Sequence, residues 1–209
     1  MKKKRWWIIV LVLAAAIYFL PRYTRYRLPI GPARPSPAKS QQQMARLRAR
    51  AAALQHYNNR GQYSSTVCFL VDMAMESGKK RFFVYDLTAD TIITSGLMAH
   101  GSCNTSYLET ARFSNKPDCG CSSLGRYAVG NKYQGRFGDA YKLHGLDSSN
   151  SHAFNRFIVL HAYDCVPDNE SLQPICNSLG CPMVSYHFLG QLSKQVNRSR
   201  KPVLLWMFQ

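Results

Sequence analysis

In Ser178-Leu179-Gly180-Cys181-Pro182 a cysteine directly follows a glycine, and this is where residue type and spacing first point to chemistry. Glycine reaches backbone conformations that other residues resist. Consecutive N–H groups around Gly180 and Cys181 can therefore face the oxygen of an attacked carbonyl, the arrangement of an oxyanion hole. A cysteine thiol ordinarily titrates near ~8.5 and attacks only as thiolate, so the site needs a base. His161, upstream of the cysteine, is the candidate, with Ser178 placed to orient its ring or to line the hole. A competing reading stands beside this one. A cysteine between glycine and proline is commonly packed or disulfide-bonded, and a histidine ending an apolar strand is commonly a satisfied core group.

Those residues must be held by the elements around them. His161 closes Phe157-Ile158-Val159-Leu160, an apolar run that reads as a strand buried on both faces. A base at a strand end is fixed better than one on a mobile loop. Ala162 to Asn177 is polar, contains proline and is long enough to loop round a cleft. Further strands are expected at Thr66–Met75, Arg81–Leu87, Thr91–Met98, Tyr127–Tyr133, Ala140–Leu143 and Val203–Phe208. Gly78, Asp90, Gly101 and Gly135 to Gly138 punctuate them, and Val184 to Val196 reads as a helix after the nucleophile loop. Residues 62–209 thus form one mainly β domain with one or two helices, large enough to bury a single core.

The N-terminal part differs in kind. Residues 1–60 hold 13 Lys and Arg and no acid, which leaves 14 basic against 11 acidic residues for the remainder, a net of only +3 out of +16. A nucleic-acid-binding fold would carry its basic stripe on the domain itself. A basic arm attracted to anionic lipid or wall polymer fits better, with a plain solvated linker as the alternative. Residues 1–20 combine a charged start with an apolar run, Trp6 to Leu20, that fits a signal anchor or signal peptide. Its poor cleavage signal favours an uncleaved membrane segment. Residues 21–39, with Pro21, Pro29, Pro32, Pro35 and Pro37, form an extended linker. Residues 40–61 follow as an amphipathic helix opened by Ser40 and stopped at Gly61, its stripe of Met44, Leu47, Ala51, Leu54 and Tyr57 docking on the domain.

Seven cysteines punctuate the domain: Cys68, Cys103, Cys119, Cys121, Cys165, Cys176 and Cys181. Setting Cys181 aside leaves six, which fits three disulfides and an oxidising compartment. The pairing stays open. A Cys176–Cys181 bridge would disable the nucleophile, whereas a bridge from Cys165 or Cys176 elsewhere would stiffen the cleft wall. Cys119-Gly120-Cys121 is the one metal-like pattern, but paired zinc knuckles are missing, and neither metal nor cofactor is expected.

The order histidine, loop, Ser-x-Gly-Cys resembles the signature of murein L,D-transpeptidases of the YkuD-like group. Ser122-Ser123-Leu124-Gly125-Arg126-Tyr127, Tyr141-Lys142-Leu143-His144-Gly145-Leu146-Asp147 and Arg156-Phe157-Ile158-Val159-Leu160-His161 agree in order, and the resemblance runs from about Val67 to Phe208. It departs at Leu179, at Ala162 after the histidine and at Met183, where the family commonly has histidine, glycine and asparagine. The resemblance implies an L,D-transpeptidase-like mixed β-sandwich or barrel. It implies attack by a low-pKa Cys181 thiolate on a peptidoglycan stem peptide, loss of D-alanine, and transfer of the acyl group to an amine in a 3→3 cross-link. Stem carboxylates call for a cation, and Arg156, His144 and Arg126 are the candidates; His144-Gly145 is also a decoy for the base, and His100-Gly101 borders the same region. Water as acceptor would make a carboxypeptidase or endopeptidase. A disulfide-stapled, non-catalytic wall-peptide binder is the reading from another class. A monomer in the cell envelope, on the periplasmic side of the inner membrane, is expected. Papain-like proteases place cysteine before histidine, the reverse of the order here.

Overall fold

The computed structural model describes residues 37–209, so the expected membrane segment and most of the proline-rich linker lie outside the described residues. The chain begins with α1 (Pro37–Tyr57), followed by β1 (Val67–Asp72), β2 (Phe82–Asp86), β3 (Thr91–Gly96), β4 (Gly125–Gly135) and β5 (Gly138–Gly145). Then come β6 (Val159–Ala162), the two-residue β7 (Met183–Val184), α2 (Tyr186–Arg198) and β8 (Leu204–Phe208). Helix α1 starts three residues before the expected Ser40, at a proline, which the first helical turn accommodates because its N–H would be unpaired in any case.

Eight strands share one sheet in the order β3-β2-β1-β8-β4-β5-β6-β7. Most neighbours are antiparallel, but β1 pairs parallel with β8 and β6 parallel with β7. The chain leaving β3 then pairs with β7 at Ala99–Met183, which links the two ends of the sheet as in a barrel. Among the described residues no helix is long and apolar enough to cross a membrane.

Strand β1 explains the packing. Val67, Phe69 and Val71 point into the main core with Phe82, Tyr127, Leu143, Leu160 and Leu205. Cys68 and Leu70 point to the other face, against Leu47, Ala51 and Leu54 of α1. Alternate side chains leave a strand on opposite faces, so a strand covered on both reads as the unbroken apolar run Val-Cys-Phe-Leu-Val. Arg46 pins the helix by an ion pair to buried Asp72 at 3.1 Å. On the main-core side, α2 inserts Phe188, Leu189 and Leu192, and Ser185 caps it by accepting the Phe188 N–H at 3.1 Å.

Candidate active site

Parallel pairing of β6 with β7 brings the nucleophile turn to the histidine strand. His161 is opposite Met183 and Ala162 opposite Val184, and the His161 N–H points to Pro182 O at 3.4 Å. One step back along both strands, the Val159 N–H donates to Cys181 Sγ at 3.5 Å. The thiol in turn donates to Phe157 O at 3.7 Å. Cys181 is free of any disulfide. Phe157 sits at φ +54° with its ring 83% exposed. A bulky residue in the left-handed region costs about 1–3 kcal/mol and such strain gathers at functional sites. Here it aims a carbonyl at the sulfur.

Gly180 adopts φ +115°, and a Cβ there would meet Cys121 O at 2.9 Å and Ile158 Cδ1 at 3.0 Å. Only glycine fits both the conformation and the space. The Gly180 N–H is taken by Ser178 Oγ at 3.0 Å, and Ser178 Oγ–H donates to Cys181 O at 2.6 Å. Ser178 therefore organises the turn, and Gly180 has no N–H to spare. Cys181 N–H makes no hydrogen bond among the described residues. The turn is held from outside as well. Ser178 N donates to His100 O and Ser102 N to Ser178 O, both at 2.8 Å. Ser122 Oγ donates to Gly180 O at 3.2 Å.

His161 is 4% exposed, and its Nδ1–H donates to the carbonyl of Ala162 at 3.0 Å. A carbonyl only accepts, so Nδ1 carries the proton and Nε2 keeps the free lone pair. Burial draws the His161 pKa below the ordinary imidazole range, partly offset by that bond. The ring of Phe137, from the β4–β5 turn, stacks on the imidazole at 5.2 Å and 18°. For Cys181 the direction is opposite to the low-pKa thiolate expected from sequence. Burial pushes the thiol up, against smaller lowering effects of the Val159 N–H and the Arg156 charge.

The three expected substrate cations are engaged within the fold. Arg156 donates to Ser123 Oγ and Cys121 O at 2.6 Å each, to Ser114 O at 3.0 Å and to Cys119 Sγ at 3.2 Å. It ties the 114–123 segment to the chain that leads into β6. Arg126 pairs with Asp147 and lies over the Tyr57 ring of α1 at 4.0 Å. His144, opposite Ala128 in β5, stacks on Phe154 at 5.0 Å. His100 does border the turn. It is fully buried, accepts from Arg81 Nη2 through Nδ1 at 2.9 Å and donates through Nε2 to Leu108 O at 3.0 Å.

Two disulfides form, Cys103–Cys121 and Cys165–Cys176, where six cysteines had suggested three. Cys68 is walled into the α1-side core, and Cys119 faces Arg156, so those two cannot meet. The Cys165–Cys176 bridge braces the loop between histidine and cysteine and leaves the sulfur of Cys181 unpaired. Residues that sequence reasoning passed over are Phe137 and Tyr163, whose rings meet edge-to-face at 5.2 Å beside His161. Their signal was weak, because each is a lone aromatic at a turn or strand end.

No curated protein matches the chain. Among solved structures it resembles Ldtfm in its avibactam carbamoyl form, with 13% identity over 70% of this chain and 49% of that one and a TM-score of 0.43. It also resembles the L,D-transpeptidase of Xylanimonas cellulosilytica (13% identity, 70% and 62% coverage, TM-score 0.37). A third is an L,D-transpeptidase from Mycobacterium smegmatis (10% identity, 69% and 59% coverage, TM-score 0.40). The chain thus spans between 49% and 62% of the length of these structures. The pattern of the L,D-transpeptidase catalytic domain matches residues 38–205, from within α1 into β8, and the chain belongs to that family.

Proposed function

We propose that the protein is a cysteine-dependent murein L,D-transpeptidase acting on peptidoglycan stem peptides in the cell envelope. The observation that carries this reading is the sulfur of Cys181: outside both disulfides and held alongside β6, the strand that carries His161. His161 Nε2 takes the thiol proton, and the thiolate attacks the carbonyl between an L-centre and terminal D-alanine. Cys181 N–H stabilises the oxyanion, because the Gly180 N–H is committed to Ser178. The imidazolium then protonates the departing D-alanine amine, leaving a thioester. A side-chain amine of a neighbouring stem attacks the thioester, its proton passes to His161, and the thiol is regenerated with a 3→3 cross-link formed.

In this reading Arg156 acts on the turn and on the thiol's electrostatics, and no carboxylate ligand is assigned to it, to Arg126 or to His144. The basic arm and apolar segment of residues 1–60 hold the domain near an anionic membrane or wall surface, and the disulfides fit an extracytoplasmic site. The test is incubation of the protein with disaccharide tetrapeptides followed by mass analysis. Cross-linked dimers lacking one D-alanine are expected. Tripeptide alone would mean hydrolysis, and unchanged substrate with bound protein would mean a binder.

A further inference from the structure

The β4–β5 turn does more than join two strands. Gly135 and Gly138 pair across it and leave Arg136 and Phe137 as its two-residue tip. Gly138 has φ +86°, a left-handed conformation that glycine adopts at little cost. Antiparallel pairing sets Ala140 opposite His161, so the same register carries the tip past the histidine and alongside Tyr163. Phe137 then lies with its ring nearly parallel to the imidazole, at 5.2 Å and 18°, and edge-on to Tyr163. Arg136 lies over the same ring, 5.5 Å from its centroid. Phe137 is 42% exposed while His161 beneath is 4% exposed. A large aromatic side chain at the tip of a hairpin has no core to serve, yet this one covers a single functional group.

Among the described residues His161 has no carboxylate partner, and the Ala162 carbonyl is its one hydrogen-bonded orienting group; a single bond at Nδ1 does not by itself fix the plane of the ring. A flat ring packed on its face removes this freedom. We propose that Phe137 is a positioning residue for His161: the hairpin tip stacks on the imidazole, fixes its plane, and keeps water from one face. Exclusion of water disfavours the imidazolium by more than the ring face attracts it, as the lowered pKa of this buried ring indicates, so the neutral base that must accept a proton prevails. The charged and titratable groups on the elements around the ring include Arg136, Tyr133, Tyr141, Lys142 and the Lys132–Asp139 pair on the hairpin, Tyr163 just after β6, and Cys181 before β7.

The role rests on the reading of His161 as the base, but the stack is testable without murein. In the full chain, Phe137→Ala, Phe137→Leu and Phe137→Tyr are compared by NMR titration of the His161 ring, assigned with His161→Gln, and by steady-state kinetics on a stem tetrapeptide. In Phe137→Ala the His161 midpoint is expected to rise toward the ordinary ~6.5. The acid limb of the rate profile moves with it, and kcat falls about tenfold with KM within twofold. Phe137→Tyr restores both and Phe137→Leu does not. An unchanged His161 titration in Phe137→Ala overturns the proposal, as does rescue by leucine. So does a rise confined to KM, which would make the tip a substrate contact. If the wild-type protein turns over no stem peptide, the proposed function fails while the titration still decides the stack.

Discussion

Burial raises the Cys181 thiol and lowers the His161 imidazole from their ordinary ranges, so at neutral pH the nucleophile and base of the proposed mechanism start as thiol and neutral imidazole, not as a preformed ion pair. On that mechanism the proton moves when substrate arrives. Two outcomes follow at this scale. Alkylation of Cys181 by iodoacetamide should climb only on the alkaline side of the usual ~8.5, whereas turnover should hold to below the ordinary imidazole value of ~6.5 before its acid limb falls. His161→Gln should lower acylation by about 10²–10⁴-fold. His144→Gln, whose ring stacks on Phe154 away from the nucleophile turn, should stay within twofold. A reversal of that pair, read from thioester formation, would assign the base to His144.

The elements that hold these residues were unequally legible. Strands β1, β2, β4, β5 and β8 and helix α2 fell close to their expected spans, because apolar runs and glycine punctuation are local signals. The parallel β1–β8 pairing joins residues 136 positions apart, and no local pattern encodes it. Strand β7 is two residues long, too short to show any period. That Cys181 would lie beside the strand carrying His161 was readable from their order and spacing, but the stacking of Phe137, at a turn tip, and the four acceptors of Arg156 were not, since both depend on which loops meet in space. The same elements give testable stability effects. Gly180→Ala should cost about 1–3 kcal/mol from the forced left-handed backbone, and displace Cys181, measured by denaturant melts and activity together. His100, buried against Arg81, has its pKa brought down to about 4. A folded value below the unfolded ~6.5 means stability is fully present above ~6.5 and is lost as pH falls through 4, by up to roughly 3 kcal/mol. His100→Gln should flatten that part of the pH–stability curve, followed by thermal melts between pH 3.5 and 7.

For the whole molecule, the cysteine inventory separates the roles. Oxidised native protein should titrate as three thiols after denaturation and two before it, because Cys68 is 1% exposed in the core beneath α1. Removing Cys165–Cys176 should lower stability by about 3 kcal/mol for a loop of this size and reduce turnover through the loosened 162–177 loop. The most direct measurement is intact and peptide mass analysis of the protein trapped with a tetrapeptide stem. The account predicts a stem acyl group, less D-alanine, on the sulfur of Cys181, and none on Cys181→Ala. An adduct on Cys119 instead, or product formed by Cys181→Ala at the wild-type rate, would contradict it.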